Sequence, residues 1–348
     1  MFHLIEKKSL FTTPKGILII KQRGIGDVIL STPTIRTIRK YFKYAKVSLV
    51  LDTPSTELFT SDPDVDEIIE IRKGIWNILD VIIRIRGKYA IVFDLISTPF
   101  SLFLSFLSGA KVRVGWLKPE NFRGRFYTHQ VDISKSIPAI SSNLRAVRRL
   151  GMVPVTEKVM VFLSDKEKER VKKKYFKLLS LKEEENIIAL HPGHLFETRR
   201  WLPERFAQLA DLFRVSGYQV VITGSKAEVE TVEKVKRFSR EDLTFLPPVS
   251  LREFACFLSS VDLLITNDGG PLHLSQAVGT KTFAVFGSTD PYNWFPYRVP
   301  EDGDYIYSNL VCSPCAKKRC DSLECLKRIG VDDVYMKIKG FLKKSENP

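Results

Sequence analysis

The 348-residue sequence lacks a hydrophobic run long enough to span a membrane, and it contains few cysteines. Its longest apolar stretch, residues 95–110, includes Pro99 and five Ser or Thr residues, so it predicts a buried helix rather than a membrane span. The N-terminus shows no apolar run with a cleavage site, so no secretory signal is expected. Five cysteines in a chain of this length favour a reducing compartment over a disulfide-stapled fold. These features together predict a cytoplasmic location.

Acidic residues are also in the minority. Lys and Arg number 54 against 40 Asp and Glu, which gives a formal net charge of +14. The excess is uneven, because residues 1–150 carry 24 basic and 13 acidic side chains whereas residues 151–348 carry 30 and 27. A basic half beside a nearly neutral half predicts contact with something anionic, and composition leaves open nucleic acid, a phospholipid surface or a phosphorylated substrate.

The composition, with 44% hydrophobic and 27% charged residues, is that of a globular protein, and the length predicts two domains. Short apolar runs alternate with amphipathic segments, beginning with a strand at 17–21 and a helix at 29–44, and the pattern restarts with a strand at 186–190. Such alternation predicts βαβ units around parallel sheets, and hence an α/β fold. The predicted parts are a first domain at 1–165, a charged junction at 166–185, a second domain at 186–330 and a tail at 331–348.

A glycine-containing loop, Lys21-Gln-Arg-Gly-Ile-Gly-Asp-Val28, lies between the first predicted strand and the first helix. Ligands of open α/β sheets bind at the carboxyl ends of the strands, where this loop lies. Gly24 and Gly26 permit close backbone approach, but the third glycine of the dinucleotide fingerprint is missing. Asp27 is either a helix cap or a carboxylate presented to an interdomain cleft, and the spacing leaves both interpretations open.

Two further loops follow strands in the second half of the chain. The segment from His191 to Trp201 carries paired arginines, Arg199 and Arg200, which either neutralise a phosphate or lie on the surface. In the segment from Leu263 to His273, a strand runs into Asp268, a double glycine and a helix that starts near a proline. The N–H groups at such a helix start predict an anion site.

The C-terminal part contains a cysteine cluster, Cys312-x2-Cys315-x4-Cys320-x4-Cys325. This spacing is that of a zinc knuckle, and four thiolates can close a tetrahedral structural site. The glycine and aromatic residues of nucleic-acid-binding knuckles are missing. Structural zinc, reduced thiols and a local disulfide remain open, as does nucleic-acid binding as an alternative to an enzyme.

Five groups of residues follow one another along the chain. They are Gly26-Asp27-Val28 with Thr32-Pro33, Pro192-Gly193 with Arg200-Trp201, Gly224-Ser225-x-x-Glu228, Asn267-Asp268-Gly269-Gly270-Pro271-x-His273, and Phe286-Gly287-Ser288-Thr289-Asp290-Pro291. In this order they resemble glycosyltransferase family 9, the heptosyltransferases of lipopolysaccharide core synthesis. The resemblance covers nearly the whole chain and implies a GT-B fold of two Rossmann-like domains that face across a cleft, with a C-terminal helix from Val331 to Lys344 crossing back to the first domain.

The resemblance also implies roles for individual residues. Asp27 matches the general base of the family, and Arg199 stands where these enzymes commonly place a lysine on the donor phosphates. Glu228 matches the ribose-binding carboxylate, and Val249 matches the loop that lines the adenine. The acceptor side would contain Arg23, Gly24 and Gly26. The donor site would contain Gly193, His194, Thr198, Arg199, Arg200, Gly224, Ser225, Glu228, Val249, Asp268, Gly269, Gly270 and His273.

The activity that the resemblance implies is an inverting, metal-independent transfer of L-glycero-D-manno-heptose from ADP-heptose, with no further cofactor. The acceptor would be the lipopolysaccharide inner core, as Kdo-lipid A or heptosyl-Kdo-lipid A, at the inner face of the cytoplasmic membrane. Another glycan or a protein hydroxyl remains an alternative acceptor, and no nucleic-acid partner is expected. The basic excess in residues 1–150 would then meet phosphorylated lipid A and anionic headgroups.

Overall fold

The chain divides between Phe162 and Leu163 into two compact units, called unit 1 and unit 2 below. Within the described residues, each unit contains one six-stranded sheet in which neighbouring strands run parallel. The predicted α/β fold with two Rossmann-like domains is therefore confirmed. The computed structural model describes residues 16–22, 24–117, 122–132 and 137–346.

The sheet of unit 1 is made of apolar strands that helices cover on both faces. Its first strand, β1, is completely buried, which is typical of a central parallel strand. The strand order is β3-β2-β1-β4-β5-β6, so the order of the strands reverses between β1 and β4. The strands are β1 (Gly16–Ile20), β2 (Lys46–Asp52), β3 (Glu67–Ile71), β4 (Ile91–Asp94), β5 (Val112–Leu117) and β6 (His129–Asp132).

Five helices of unit 1 fall within the described residues. They are α1 (Ile25–Ile29), α2 (Thr32–Tyr41), α3 (Ile75–Ile85), α4 (Pro99–Leu107) and α5 (Ala139–Arg149). The helix predicted at 29–44 corresponds to α2, and the glycine-containing loop before it forms the short helix α1. The apolar stretch 95–110 contains α4, which buries one side and leaves Phe103 and Phe106 exposed, so the prediction of a buried helix is only partly right.

Unit 2 repeats the same strand order, read as β12-β11-β10-β7-β8-β9. The order reverses between β7 and β10, and both strands are fully buried. A core of aromatic and aliphatic side chains, including Trp201, Phe206 and Phe213, fills one side of the sheet. The strands are β7 (Ile187–His191), β8 (Gln219–Ile222), β9 (Thr244–Phe245), β10 (Leu263–Asn267), β11 (Lys281–Phe286) and β12 (Gly303–Tyr307).

The described helices of unit 2 begin at Asp165, one residue before the segment 166–185 that was predicted as a junction. The helices are α6 (Asp165–Leu178), α7 (Pro203–Val215), α8 (Val229–Phe238), α9 (Leu251–Leu258), α10 (Gly270–Ala277), α11 (Pro291–Trp294), α12 (Glu324–Lys327) and α13 (Val331–Glu346). Helix α6 buries Val171 and Tyr175, and its Glu167 pairs with Arg252 of α9 at 2.7 Å. The charged segment 166–185 therefore lies in unit 2, because the single apolar face of α6 is buried there.

The tail forms a helix, as the resemblance implied. Val334, Ile338 and Phe341 of α13 are buried in the core of unit 2. Tyr335 on the same helix exchanges a hydrogen bond of 2.8 Å with Ser216 at the end of α7. The tail is therefore anchored in unit 2, and its crossing to the first domain stays a prediction.

Candidate functional site

In unit 1, the loop after β1 lies at the point where the strand order reverses. Ile20 at the end of β1 is in register with Asp94 at the end of β4, which in turn is in register with Gly115 of β5. The residues that follow these strand ends are therefore gathered at one edge of the sheet. This is where open α/β sheets bind their ligands.

The buried side chain of Lys21 connects the segments that meet at this edge of the sheet. The Nζ of Lys21 donates to the carbonyl oxygen of Leu95 at 2.9 Å and to Asn143 Oδ1 at 3.4 Å, and it lies 5.2 Å from the centre of the Trp116 ring. Burial lowers the pKa of Lys21, while the charges of Asp27 and Asp94 oppose that effect. A cation this deeply buried needs such partners to remain in place.

Asp27 lies in the first turn of α1 beside this lysine. Its Oδ1 is 3.9 Å from Lys21 Nζ, and its side chain is 48% exposed. Gly24 precedes the helix with φ of +65°, and a side chain there would also come within 3.0 Å of Asp27 Oδ2. The N-cap position of α1 is occupied by Gly24, so Asp27 does not stand at the cap. The carboxylate is thus presented at the strand edge and is not used as a helix cap.

A second carboxylate at the same edge is enclosed. Asp94 accepts hydrogen bonds from Tyr127 Oη at 2.6 Å and from the N–H of Ser97 at 2.8 Å. Burial raises the pKa of Asp94, and these hydrogen bonds oppose that rise. Asp94 therefore serves as an internal anchor, and Asp27 is the carboxylate that a ligand can reach.

In unit 2, Asn267 at the end of β10 ties together the loop after β7. Its side-chain amide donates to the carbonyl oxygens of Pro192 at 2.9 Å and Gly193 at 3.2 Å, and its Oδ1 accepts from the N–H of Trp201 at 2.9 Å. All three contacts are buried. One side chain thereby fixes the start and the end of the loop from Pro192 to Trp201.

Arg199 in that loop pairs with the carboxylate that follows Asn267. Its Nη1 is 3.6 Å from Oδ2 of Asp268, and the same oxygen accepts a hydrogen bond of 2.5 Å from Thr289. Asp268 is only 2% exposed, whereas the Arg199 side chain is 24% exposed. Because a guanidinium has five N–H donors, the pair leaves donors on Arg199 for an anion.

The N-terminus of α10 lies next to this pair. Gly269 is its N-cap, and the ring of His194 would be 3.0 Å from a side chain placed there. His194 Nδ1 lies 2.9 Å from the backbone N of Phe196 and 3.2 Å from the carbonyl oxygen of the same residue, so the backbone engages this nitrogen in either tautomer. Burial and the charge of Arg199 lower the pKa of His194 to about 4. The ring therefore stays neutral near pH 7 beside a helix end that favours anions.

Glu228 closes the other side of the loop. A side chain on Gly193 would come within 2.2 Å of the Glu228 carboxyl, so it would displace that carboxyl from its present position. Glu228 Oε2 accepts from the N–H of Ser225 at 2.8 Å and lies 3.3 Å from His191 Nε2. Burial alone would raise the pKa of Glu228, but the contacts with His191 and Ser225 lower it to about 2. Glu228 is an ionised carboxylate with one oxygen already in use.

Residues 78–326 match the model of glycosyltransferase family 9 (heptosyltransferase). The chain belongs to glycosyltransferase family 9. This confirms the resemblance found in the sequence, and it makes the protein a glycosyltransferase.

Relatives of family 9 match along almost the whole chain. A lipooligosaccharide heptosyltransferase 2 of Campylobacter jejuni is 26% identical over 331 residues, which cover 92% of this chain and 96% of that protein. The solved family 9 protein of Veillonella parvula superposes with a TM-score of 0.82 at 22% identity, covering 95% of this chain and 98% of its own. An Escherichia coli heptosyltransferase solved with ADP gives a TM-score of 0.72 at 18% identity, covering 93% and 99%. The two structures show that the GT-B fold of the family is shared.

Several residues that the family resemblance assigned to the donor site lie together at one edge of the sheet of unit 2. They follow β7, β8 and β10 and comprise Gly193, His194, Arg199, Gly224, Ser225, Glu228, Asp268, Gly269 and Gly270. Arg200, half-buried, directly follows Arg199, and Val249, also half-buried, lies in the loop before α9. On the acceptor side, Gly26 is buried in α1, and Arg23 lies outside the described residues. Their ligand-binding roles stay predictions of the family 9 resemblance.

His273, which the resemblance assigned to the donor site, lies on the helix that follows the double glycine, and its binding role stays a prediction. It lies one turn into α10, where it is buried, and its Nδ1 is 2.7 Å from Tyr297 Oη. Burial lowers its pKa to about 3. The neutral ring therefore packs inside unit 2 and brings no positive charge to a phosphate.

The cysteine-rich segment of this family 9 chain packs on the donor loops through its backbone. Thr198 donates to the carbonyl oxygen of Lys317 at 2.6 Å, and Ser288 accepts at its own carbonyl from the N–H of Cys315 at 3.0 Å. Cys325 is buried, whereas Cys312 and Cys315 are exposed. Within the described residues, no three Cys, His, Asp or Glu side chains are arranged to hold a metal ion. The structure thus gives the structural-zinc alternative no ligand set, and the cysteines are free thiols.

Sequence reasoning missed three contributors to these two sites. Lys21 was only the first residue of the glycine loop, and Asn267 and Thr289 were only parts of the family resemblance, without roles of their own. Each acts through a partner distant in sequence, such as Asn143 for Lys21 and Pro192 for Asn267. Their positions could have revealed them, because all three lie at or just after the carboxyl ends of strands, where ligands of α/β sheets bind. A buried polar side chain there costs free energy unless it has hydrogen-bond partners.

Proposed function

We propose that this family 9 enzyme transfers L-glycero-D-manno-heptose from ADP-heptose to the lipopolysaccharide inner core, with inversion and with Asp27 as the general base. The observation that carries the proposal is the half-exposed Asp27 carboxylate, which is held beside a buried cation and does not cap its helix. The curated relative from Campylobacter jejuni is named a lipooligosaccharide heptosyltransferase, and a structural neighbour was solved with ADP. Both names support the choice of donor and acceptor.

The loops of unit 2 would hold the ADP part of the donor. Arg199 offers guanidinium N–H groups, His194 offers a neutral ring, and the first turn of α10 offers backbone N–H groups without intrahelical partners. Asp268 balances the charge of Arg199 and orients it, so the arginine needs little rearrangement when a diphosphate binds. Glu228 and Val249 would contact the nucleoside.

The reaction needs a base for the acceptor and stabilisation for the leaving group. Asp27 would take the proton of the acceptor hydroxyl while that oxygen attacks the anomeric carbon, and ADP would leave from the opposite face. The charge that develops on the diphosphate would be met by Arg199, by His194 and by the N-terminus of α10. Because these donors are already in place, we propose a transfer that uses no metal ion.

The acceptor would be Kdo-lipid A or heptosyl-Kdo-lipid A at the inner face of the cytoplasmic membrane. The net charge of +11 in residues 1–150, from 24 basic and 13 acidic side chains, supports contact with a phosphorylated acceptor. No described helix has the length and apolar character that are needed to cross a bilayer.

A donor and acceptor panel tests the proposal. The purified protein is incubated with ADP-heptose or ADP-glucose and with each acceptor, Kdo-lipid A or heptosyl-Kdo-lipid A, and the product mass is read by mass spectrometry. We expect one added heptose on one of the two acceptors and little transfer from ADP-glucose. Transfer of another sugar, or transfer only to a different glycan or to a protein, would contradict the proposed substrates.

A further inference from the structure

Helix α3 of unit 1 is apolar on two opposite sides. Eight of its eleven residues are apolar. Val81 and Ile85 are completely buried in the core under the sheet. Four large side chains on the other side are exposed, namely Ile75 by 63%, Trp76 by 81%, Leu79 by 41% and Ile83 by 71%. A helix that is apolar all round is typical of one that is covered on both sides.

The four exposed side chains form one stripe. Ile75, Leu79 and Ile83 are spaced by four residues and therefore lie above one another along the helix, and Trp76 lies directly beside them. Asp80 and Arg84 occupy the flank of the helix and not this stripe. The exposure is thus concentrated on one surface, unlike the scattered single apolar residues that are normal on proteins.

Helix α4 extends the same surface. Its Phe103 and Phe106 are exposed by 47% and 50%, while Ser101 and Ser105 of the same helix are buried. Leu104 of α4 packs in one core cluster with Val81 of α3, so the two helices are neighbours on one face of the sheet. We call the exposed side chains of the two helices the α3–α4 surface. It consists of Ile75, Trp76, Leu79, Ile83, Phe103 and Phe106.

The rim of the α3–α4 surface is basic. Residues 72–113 contain seven Lys or Arg side chains and two acidic ones, and one of the two acidic side chains, Asp94, is buried. Exposed basic residues stand at the ends of both helices, namely Lys73, Arg86, Lys88 and Lys111. An apolar centre that contains an exposed tryptophan, with a basic rim, complements a bilayer with anionic headgroups.

We propose that the α3–α4 surface docks the protein on an anionic phospholipid bilayer, with Trp76 and Ile83 inserted below the headgroups. The charge of the rim favours this occupant over a second copy of the chain, because two copies meeting through the same surface would bring identical basic rims together. The proposal rests on the proposed function for its biological setting, since the proposed acceptor is a membrane glycolipid. The binding itself needs neither donor nor acceptor.

Vesicle binding by the full chain tests the proposal directly. Vesicles of phosphatidylglycerol and phosphatidylethanolamine are compared with vesicles of phosphatidylcholine alone, without acceptor lipid. We expect sedimentation with the anionic vesicles, weakening with salt, and a blue shift of tryptophan fluorescence that the Trp76→Phe substitution largely removes. Absence of binding to the anionic vesicles, or equal binding to both kinds of vesicle, would overturn the proposal.

Matched variants test whether vesicle binding depends on the apolar side chains of the α3–α4 surface or on any exposed apolar side chain. Trp76→Ser with Ile83→Ser removes two exposed side chains of unit 1, and Val215→Ser with Met336→Ser removes two equally exposed ones of unit 2. We expect the first pair to weaken vesicle partitioning by at least about tenfold per side chain, and the second pair to have little effect. Both pairs should retain the wild-type melting temperature, because all four side chains are exposed. Equal loss from both pairs would overturn the proposal.

Two more measurements keep the docking proposal distinct from the proposed function. Transfer to a deacylated, water-soluble acceptor should be unchanged in Trp76→Ser with Ile83→Ser, while transfer to acceptor in vesicles should fall. If wild-type protein binds vesicles but transfers no heptose, the proposed function fails and the docking surface stands. A concentration-dependent dimer in analytical ultracentrifugation that the same substitutions abolish would assign the surface to self-association and overturn the docking proposal.

Discussion

The two units share one strand order but use their carboxylates in opposite ways. In unit 1, Asp27 follows the strand edge with half of its side chain exposed and a buried lysine 3.9 Å away. In unit 2, Asp268 is 2% exposed and bound to Arg199 and Thr289, and Glu228 is held by Ser225 and His191. The same scaffold thus presents a reachable carboxylate in one unit and a neutralised, donor-rich edge in the other.

This difference indicates how one fold serves two tasks. A general base must be able to approach and release a proton, so its carboxylate has to remain accessible. A diphosphate site needs preorganised donors, and a carboxylate there is tolerable only when it is paired with a cation. The comparison predicts that substitutions in unit 1 reduce the chemical step, whereas substitutions in unit 2 reduce the binding of the nucleotide.

The largest expected effect is that of Asp27→Asn on transfer. The amide keeps the shape of the side chain but cannot accept the proton, so we expect kcat to fall by about 10²–10⁴-fold. The measurement is heptose transfer under saturating ADP-heptose and acceptor. Asp242→Asn, an exposed carboxylate of unit 2, is the control and should retain wild-type turnover. Substantial turnover by Asp27→Asn would remove Asp27 from the role of base.

Next in size is the effect of Arg199→Ala on nucleotide binding. Loss of charge-assisted hydrogen bonds should weaken ADP binding by roughly 10- to 100-fold, measured by titration calorimetry. Arg199→Lys keeps the charge beside Asp268 and should recover part of the affinity. Arg214→Ala, an exposed arginine at the end of α7, is the control. If Arg199→Ala left the affinity for ADP unchanged, Arg199 would not bind the phosphates, and the assignment of nucleotide binding to this edge of unit 2 would be contradicted.

A smaller effect is expected when the buried cation of unit 1 is removed. Lys21 touches no substrate in the proposed reaction but positions Asp27, so Lys21→Met should lower kcat by about tenfold while KM for ADP-heptose stays constant. Lys21→Arg should restore part of kcat because it retains the charge. Thermal melting of each variant monitors folding. An equal change in KM, or no rescue by arginine, would count against a positioning role.

The last prediction concerns stability at low pH rather than activity, and it separates the two units. His194 and His273 of unit 2 have pKa values lowered to about 4 and about 3, mainly by burial. An unfolded histidine takes up its proton near pH 6.5, so below that pH the unfolded state binds more protons and the folded unit loses stability. Each residue should cost about 2 kcal/mol at pH 5 relative to pH 7.

Hydrogen exchange at pH 7 and pH 5 measures this loss unit by unit. In unit 1 the described histidine, His129, is not buried, so the exchange of its core strands should change less over this range. His273→Gln keeps a hydrogen-bond acceptor for Tyr297 and should remove about half of the pH dependence of unit 2. Equal loss in both units would show that the two histidines are not its cause.

Much of the fold could be predicted from the sequence, because buried parallel strands such as β1 and β7 are continuous apolar runs. The edge strands β3 and β6 were not predicted, since they are partly exposed and contain polar residues. The junction at 166–185 looked like a linker because its charges outnumber its apolar residues. Only the packing of Val171 and Tyr175 reveals that α6 belongs to unit 2.

The candidate site could be predicted where glycines and charges cluster in sequence, as around Asp27 and from Asp268 to Gly270. It could not be predicted where a contact joins distant segments, as between Lys21 and Asn143 or between Thr198 and Lys317. The family resemblance assigned His273 to the donor site, but only the structure shows that the ring is buried beside Tyr297, and burial decides its protonation state. Distance along the chain hides such contacts, and the sequence does not show which titratable side chains burial keeps neutral.

The most direct test of the division between the units is a calorimetric titration of ADP into the Asp27→Asn protein. We predict that ADP binds within about twofold of the wild-type affinity although transfer is abolished, because the carboxylate of unit 1 would act only in the chemical step. A loss of ADP affinity comparable to that of Arg199→Ala would contradict the account, since Asp27 would then belong to the nucleotide site.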